Sequence, residues 1–224
     1  VAANIGTSAP PYVSIEGSKF HVVDAAGNRK PVGNFDPQLG LYLDCIIIDI
    51  NDHVSKIYYG DRPYDPGSAD PPLCWSDNGK APSRQAAHPQ NLLCSTCRLS
   101  EWGSAISKIS GEGIKACRDQ QKIAVLVAGF ETPLLMRVPP NSLKNFRAYS
   151  EMFNGLDFDM DAMVTRVSFA QGVQGTLLFN AAEYIPTPAA TLIQQLRGAK
   201  ATDNLVGRND VPIEGLTAIQ APTP

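Results

Sequence analysis

The sequence predicts a mainly β chain with minor α, and three observations point there. The chain carries 18 glycines and 18 prolines among 224 residues, too many breakers for a helical bundle. Its apolar residues fall in short stretches, several alternating with period two, bounded by Gly, Asn and Asp. One amphipathic segment alone has convincing helical spacing, and it precedes the last pair of strand-like runs.

The elements follow in order. Residues through Pro10-Pro11 are small and polar and read as a flexible arm. Tyr12-Val-Ser-Ile-Glu16 alternates, Gly17-Ser18 turns, and Phe20-His-Val-Val23 returns, which reads as a hairpin. Leu41 to Ile50 is the strongest strand. Leu43, Cys45 and Ile47 share one face and Ile46, Ile48 and Ile50 the other, so burial on both sides is expected. Ser55 to Tyr59 is a further short strand.

Residues 60 to 120 change character, with many Pro, Gly, Ser, Asp and Asn and four of the five cysteines. So long a stretch without periodicity needs something else to order it. Strands resume at Lys122–Val127 and Pro133–Val138. Asn141 or Ser142 is placed to cap a helix over 141–155, with Leu143, Phe146 and Phe153 facing the core. Met163–Phe169 and Thr176–Phe179 read as a closing hairpin, and Ala190–Leu196 as a short helix. The polar tail after Gly198 is expected to be mobile.

Short strands with one helix before the last pair suit a small barrel, with an OB-fold as the leading architecture and a β-sandwich as the alternative. The expected organisation is a single OB-like domain over 1–190 with a cysteine-bearing insertion at about 60–120. Residues 191–224 then supply the short helix and the flexible tail.

The cysteines are arranged C-x19-C-x2-C-x19-C, as Cys74, Cys94, Cys97 and Cys117. A C-x2-C turn lets two thiolates hold one ion, and two flanking thiolates complete a tetrahedron that suits zinc over magnesium or calcium. A structural Zn2+ site would also order the loop-rich insertion. Four thiolates leave no open coordination position, so such a metal is not catalytic. A redox C-x-x-C and ordinary buried thiols are the competing readings, and His88 could replace one thiol. No βαβ context for a redox motif is visible. Cys45 is expected in the core.

No enzyme signature is found: no phosphate-binding loop, no G-x-S-x-G and no H-E-x-x-H. Asp157-Phe-Asp-Met-Asp161 begins like a calcium loop. It carries Ala162 where glycine is required and Ser168 where glutamate is required. A metal-dependent nuclease using Asp157, Asp159 and Asp161 is the weakest of the readings.

Net charge is −3, but its distribution is uneven. Lys80 to Arg147 holds ten Lys/Arg against four Asp/Glu, and the remainder holds nine against eighteen. A basic centre is compatible with a polyanion groove, and equally with an uneven solvated surface. Lys56, Tyr58, Tyr59, Arg62 and Tyr64 cluster within nine residues, and Lys115 and Arg118 flank Cys117. Aromatic faces that stack bases, beside cations that hold phosphates, are the equipment of single-strand binders. Neighbouring strand residues face opposite ways, so at most one of Tyr58 and Tyr59 can line a given groove. Trp75 and Trp102 are placed either beside the metal or on the nucleic acid.

The chain resembles phage-encoded single-stranded-DNA-binding proteins with an OB-fold and a cysteine-containing insertion. The resemblance runs over about 12–185. It is carried by Tyr12–Phe20, Val54–Tyr59, Cys74-Trp-Ser-Asp-Asn-Gly79, Pro89-Gln90, Cys94-Ser-Thr-Cys97, Trp102-Gly-Ser104, Lys115-Ala-Cys117, Leu135–Pro140 and Val164–Phe169. It implies a cytoplasmic accessory of DNA replication or recombination that coats exposed strands without cleaving them. Many replicative single-strand binders recruit partners through an acidic tail. Here 211–224 carry only Glu214, so that mode of recruitment is not expected. No membrane span or secretory signal is expected, since the longest uncharged apolar run is Ile123–Phe130. A zinc-stabilised structural or protein-interaction module without a nucleic-acid role is the alternative function.

Overall fold

The Tyr12–Val23 hairpin forms as the alternation predicts, with Gly17 at φ +59° in its turn and Ile15 opposite Phe20. The computed structural model describes residues 10–60, 71–108, 110–185, 187–210 and 212. In chain order the strands begin with β1 (Tyr12–Glu16), β2 (Lys19–Val23), β3 (Arg29–Val32), β4 (Asn34–Asp36), β5 (Gly40–Ile50) and β6 (Ser55–Tyr58). Next come β7 (Cys74–Ser76), β8 (Ala105–Ile106), β9 (Gly113–Ile114) and β10 (Arg118–Val127). The series ends with β11 (Leu134–Val138), β12 (Met163–Phe169) and β13 (Leu177–Tyr184). Among the described residues three helices accompany them: α1 (Leu143–Glu151), α2 (Thr187–Leu196) and α3 (Lys200–Val206). The fold is mainly β, as predicted.

The chain divides into two units, Val1–Ile50 with Lys122–Val206, and Asn51–Gln121 with Gly207–Pro224. In the first, the hydrogen-bonded path runs β13-β12-β5-β10-β11-β1-β2-β3, with β4 also on β5. β1 and β11 run parallel, while β1–β2, β5–β10, β5–β12 and β12–β13 are antiparallel.

β5 is covered on both faces, but Ile50 packs with the Leu43, Cys45 and Ile47 cluster and not beside Ile46 and Ile48, because the pairing with β10 shifts register between Ala124 and Val125. Leu43, Cys45 and Ile47 join Phe20, Val125, Met136, Val167 and Leu177 in one cluster, closed by Phe146 and Tyr149 of α1. Ile48 joins Ala124, Leu135, Ile193, Leu205 and Val206 in a second, closed by α2 and α3. Burial pushes the Cys45 thiol up to about 12, consistent with a small core residue.

Two expectations are corrected here. The helix expected over 141–155 begins with a 3-10 turn at Pro140–Ser142 and ends as α1 at Glu151. Ser142 holds the N-cap position of α1, but its side chain makes no capping bond to the helix. The Ser142 hydroxyl accepts the Leu177 amide (2.8 Å), and the Asn141 amide donates to Thr176 (2.9 Å). These groups are used to tie the helix entrance to β13, because the buried Leu177 N–H needs a partner. The tail read as mobile after Gly198 instead forms α3, with Val206 wholly buried and Leu205 nearly so. Its few apolar residues sit at adjacent positions that meet the β5–β10–β11 face, a partner no local pattern displays. Residues 1–9, 211 and 213–224, including the rest of the arm and tail, lie outside the described residues.

The second unit pairs β7 with β6, and β6 with the first residues of β10. β8 and β9 form a separate small hairpin. Many of the buried side chains of this unit are polar, Asn51, Ser55, Ser76, Asp77, Ser83, Gln120 and Gln121 among them. The Asn51 amide donates to the Asp77 carbonyl (2.9 Å), Gln121 to the Asn51 carbonyl (2.6 Å), and Ser55 to the Gln120 carbonyl (3.1 Å). Gly79 is required at φ +67°, since a Cβ there would meet the Val54 carbonyl oxygen. No helix among the described residues is long and apolar enough to cross a membrane.

Candidate metal centre and nucleic-acid interface

Cys74 opens β7, opposite Tyr58 in the register. Cys94 begins a 3-10 turn, Cys97 ends it, and the Cys97 amide donates back to the Cys94 carbonyl (3.4 Å). Cys117 immediately precedes β10, its amide bonded to the Leu99 carbonyl (2.8 Å). Residues far apart in the chain are thus gathered by a turn and two strand ends.

All four thiols are buried and free, and all four line one cavity of about 10 Å³. That is room for a single atom of about water size. Tyr58, Leu99 and Ser100 complete much of its wall. Burial pushes the thiols of Cys74 and Cys94 up, and that of Cys117 to about 11. The nearby Lys56 ammonium pulls Cys94 and Cys117 back, because a positive charge favours the thiolate. The Ser100 hydroxyl is buried with no hydrogen-bond partner among the described residues, yet lies close enough to Cys117 to favour its thiolate. The cysteines share a cavity, but among the described residues no set of three or more His, Cys, Asp or Glu stands in metal-holding geometry. His88 is exposed and does not line the cavity.

The aromatic and basic residues divide by face. Opposed residues on antiparallel strands share a face. Tyr58 and Cys74 form one such pair; Trp75, Ile57 and Arg118 form a row on the other face. Tyr58 is buried in a cluster with Cys74 and Cys117, which removes it from any exposed groove. Tyr59 is 40% exposed. Arg118 is exposed, and Trp75 is half-buried on the side away from the cysteines. Arg62 and Tyr64 lie outside the described residues.

Lys115 donates to Asp119 (2.8 Å), and Lys56 reaches the other oxygen of the same carboxylate (2.5 Å). Burial raises the Asp119 pKa, but the hydrogen bonds from the two ammoniums outweigh it and hold the carboxyl below its usual value. The Lys115 ammonium also lies 5.6 Å from the centre of the Trp102 ring. Trp102 does not pack beside the cysteines, being 77% exposed. The Lys56–Asp119–Lys115–Trp102 chain is not visible in the sequence as a whole; the Lys115/Asp119 spacing of four is its only local sign.

The acidic run in the first unit has another occupation. Arg197, the residue after α2, donates to Asp159 (2.7 Å) and Asp161 (3.1 Å). Burial raises the Asp161 pKa, opposed by Arg197. Asp157 is exposed and joins neither contact. A guanidinium seated on two of three carboxylates is the arrangement of an anchor for α2. The chain matches no family model, no curated protein and no solved structure.

Proposed function

We propose that the chain binds single-stranded DNA, largely without sequence preference and without cleaving it, as an accessory of phage DNA replication or recombination. In this reading the first unit serves as an OB-like barrel and the second as its insertion. Cys74, Cys94, Cys97 and Cys117 hold a structural Zn2+. The observation that carries it is that Tyr59, Trp102, Lys115 and Arg118 all belong to the unit in which the four cysteines meet around one ion-sized cavity. A bound zinc would take the four thiolates, restrain the loops that bear these side chains, and take no part in chemistry. The seating of Arg197 on Asp159 and Asp161 supports binding without cleavage.

The decisive measurement is fluorescence anisotropy of a labelled oligo-dT at two salt concentrations, alongside elemental analysis of protein purified without added metal. Binding should weaken steeply with salt, by about 0.7 of a log unit per phosphate contact for each roughly tenfold rise in salt, with one zinc per chain. No binding at low salt would overturn the nucleic-acid reading, and no zinc would overturn the metal reading. Exposed Leu92 and Leu93, beside Cys94, favour a second reading as a zinc-stabilised protein-interaction module. That module would hold the metal and ignore the oligonucleotide.

A further inference from the structure

Resting on the single-strand reading, we infer that Trp102 is a stacking platform for a nucleobase, with the Lys115 ammonium beside it. Trp102 is the most exposed large apolar side chain among the described residues, at 77%. An indole ordinarily contributes most when buried, so one left in water on an ordered loop has surface available for a partner.

The loop that carries it is tied at both ends to the cysteine-bearing segments. The Ser100 amide donates to the Cys97 carbonyl (2.9 Å), and the Cys117 amide to the Leu99 carbonyl (2.8 Å). Ser104 is the clasp: its hydroxyl donates to the Glu101 carbonyl (2.7 Å) and accepts the Ala116 amide (2.9 Å). A Cβ on Gly113 would come within 3.2 Å of the Gly103 Cα, so the two backbones already lie close beside the indole. A platform held this way needs little ordering when a ligand arrives.

The charge around it fits a polyanion. Lys115 lies 5.6 Å from the ring centre and shares the Asp119 carboxylate with Lys56, so the formal charges of that trio sum to +1. From Arg98 to Arg118 there are four cations and two acids. A flat π-face suits any base, and neighbouring ammoniums suit the phosphate that follows it. A partner protein would use the indole as an apolar anchor instead, and would not respond to bases.

The chain has two tryptophans, Trp75 and Trp102, so the signal can be assigned by substitution. The test uses the full chain with labelled oligo-dT, an abasic oligonucleotide of equal length and charge, and oligo-rU. The assignment predicts that oligo-dT binds more tightly than the abasic strand. Trp102→Ala should weaken oligo-dT binding by about 5- to 140-fold and leave abasic binding unchanged, while Trp102→Phe keeps most of the affinity. Trp75→Phe protein, in which Trp102 alone emits, should be quenched by oligo-dT, and this readout stands even where Trp102→Ala fails to fold. Equal losses with oligo-rU would support stacking on RNA as well. Wild-type oligo-dT binding that is insensitive to Trp102→Ala, or unquenched Trp102 emission, overturns this assignment and leaves the single-strand reading standing. Absence of any binding by the wild-type chain overturns both.

Discussion

The two units solve the problem of holding a fold in different ways. The unit built from Val1–Ile50 and Lys122–Val206 buries Phe20, Ile123, Met136, Val138, Tyr149, Val167 and Leu177 almost completely in one cluster, and Ala124, Leu135, Ile193 and Val206 in a second. The unit built around Asn51–Gln121 has, among the described residues, a buried apolar cluster of only Tyr58, Cys74 and Cys117. Much of the rest of its interior is polar: Asn51, Ser55, Ser76, Asp77, Ser83, Gln120 and Gln121 are all buried. Apolar burial stabilises in proportion to area, whereas an internal hydrogen bond contributes about 0.5–1.5 kcal/mol net. In the zinc reading proposed above, a small unit with so little apolar interior would be stapled through its four buried thiols. The difference teaches where each unit should fail.

The largest expected effect is on the second unit. Metal removal by a chelator, or a Cys94→Ser/Cys97→Ser double variant, should abolish a binding free energy of order 10 kcal/mol. Hydrogen exchange should then lose protection across residues 71–118 while β5, β12 and the Lys122–Val127 part of β10 keep theirs. Uniform protection before and after would mean that no metal staples this unit.

Next is the apolar unit. Phe146 packs edge-on against Phe179 at 5.1 Å and is buried. Phe146→Ala should cost about 3–5 kcal/mol in chemical denaturation, with zinc content unchanged. A cost below about 1 kcal/mol would show that α1 does not close this core.

A smaller loss is expected where the apolar unit does use a polar contact. Tyr149 and Thr165 share a buried hydrogen bond of 2.7 Å. Tyr149→Phe leaves the Thr165 hydroxyl without it and should cost about 1–3 kcal/mol. Adding Thr165→Val to the Tyr149→Phe variant should recover part of that, and no recovery would assign the loss to packing.

The smallest effect is electrostatic. Asp119 has a folded pKa below its unfolded value, so its contribution is present at neutral pH and is lost as pH falls through the folded value. Each ion pair of this kind is worth about 0–1 kcal/mol. Asp119→Asn should flatten the acid limb of the stability curve slightly and leave neutral-pH folding intact. A large loss at neutral pH would give Asp119 a structural weight closer to that of a buried hydrogen bond.

Much of the first unit was legible along the chain. The Tyr12–Val23 hairpin, the pairing of Met163–Phe169 with the strand that begins near Thr176, and the doubly buried β5 follow from alternation and turn residues, which act between near neighbours; that β13 runs on past Phe179 to Tyr184 does not. The spacing of Cys74, Cys94, Cys97 and Cys117 already singled them out as one group. The role of Ser142 was not legible: as a cap it would satisfy its own helix, but the N–H it serves belongs to Leu177, 35 residues away. Nor was α3, whose Leu205 and Val206 are buried by strands from three distant segments.

By itself, then, the sequence determined which segments alternate, where they turn, and which cysteines belong together, because these depend on bonds and periods within a few residues. Only the tertiary structure decided that Tyr58 faces inward and Tyr59 outward, that Trp102 stands in water beside Lys115, and that Arg197 occupies Asp159 and Asp161. Each of those outcomes is set by a partner strand, loop or helix whose approach fixes which side of a residue is covered. A side chain's exposure is a property of what is packed against it, and in this protein that neighbour is often more than ten residues away in the chain.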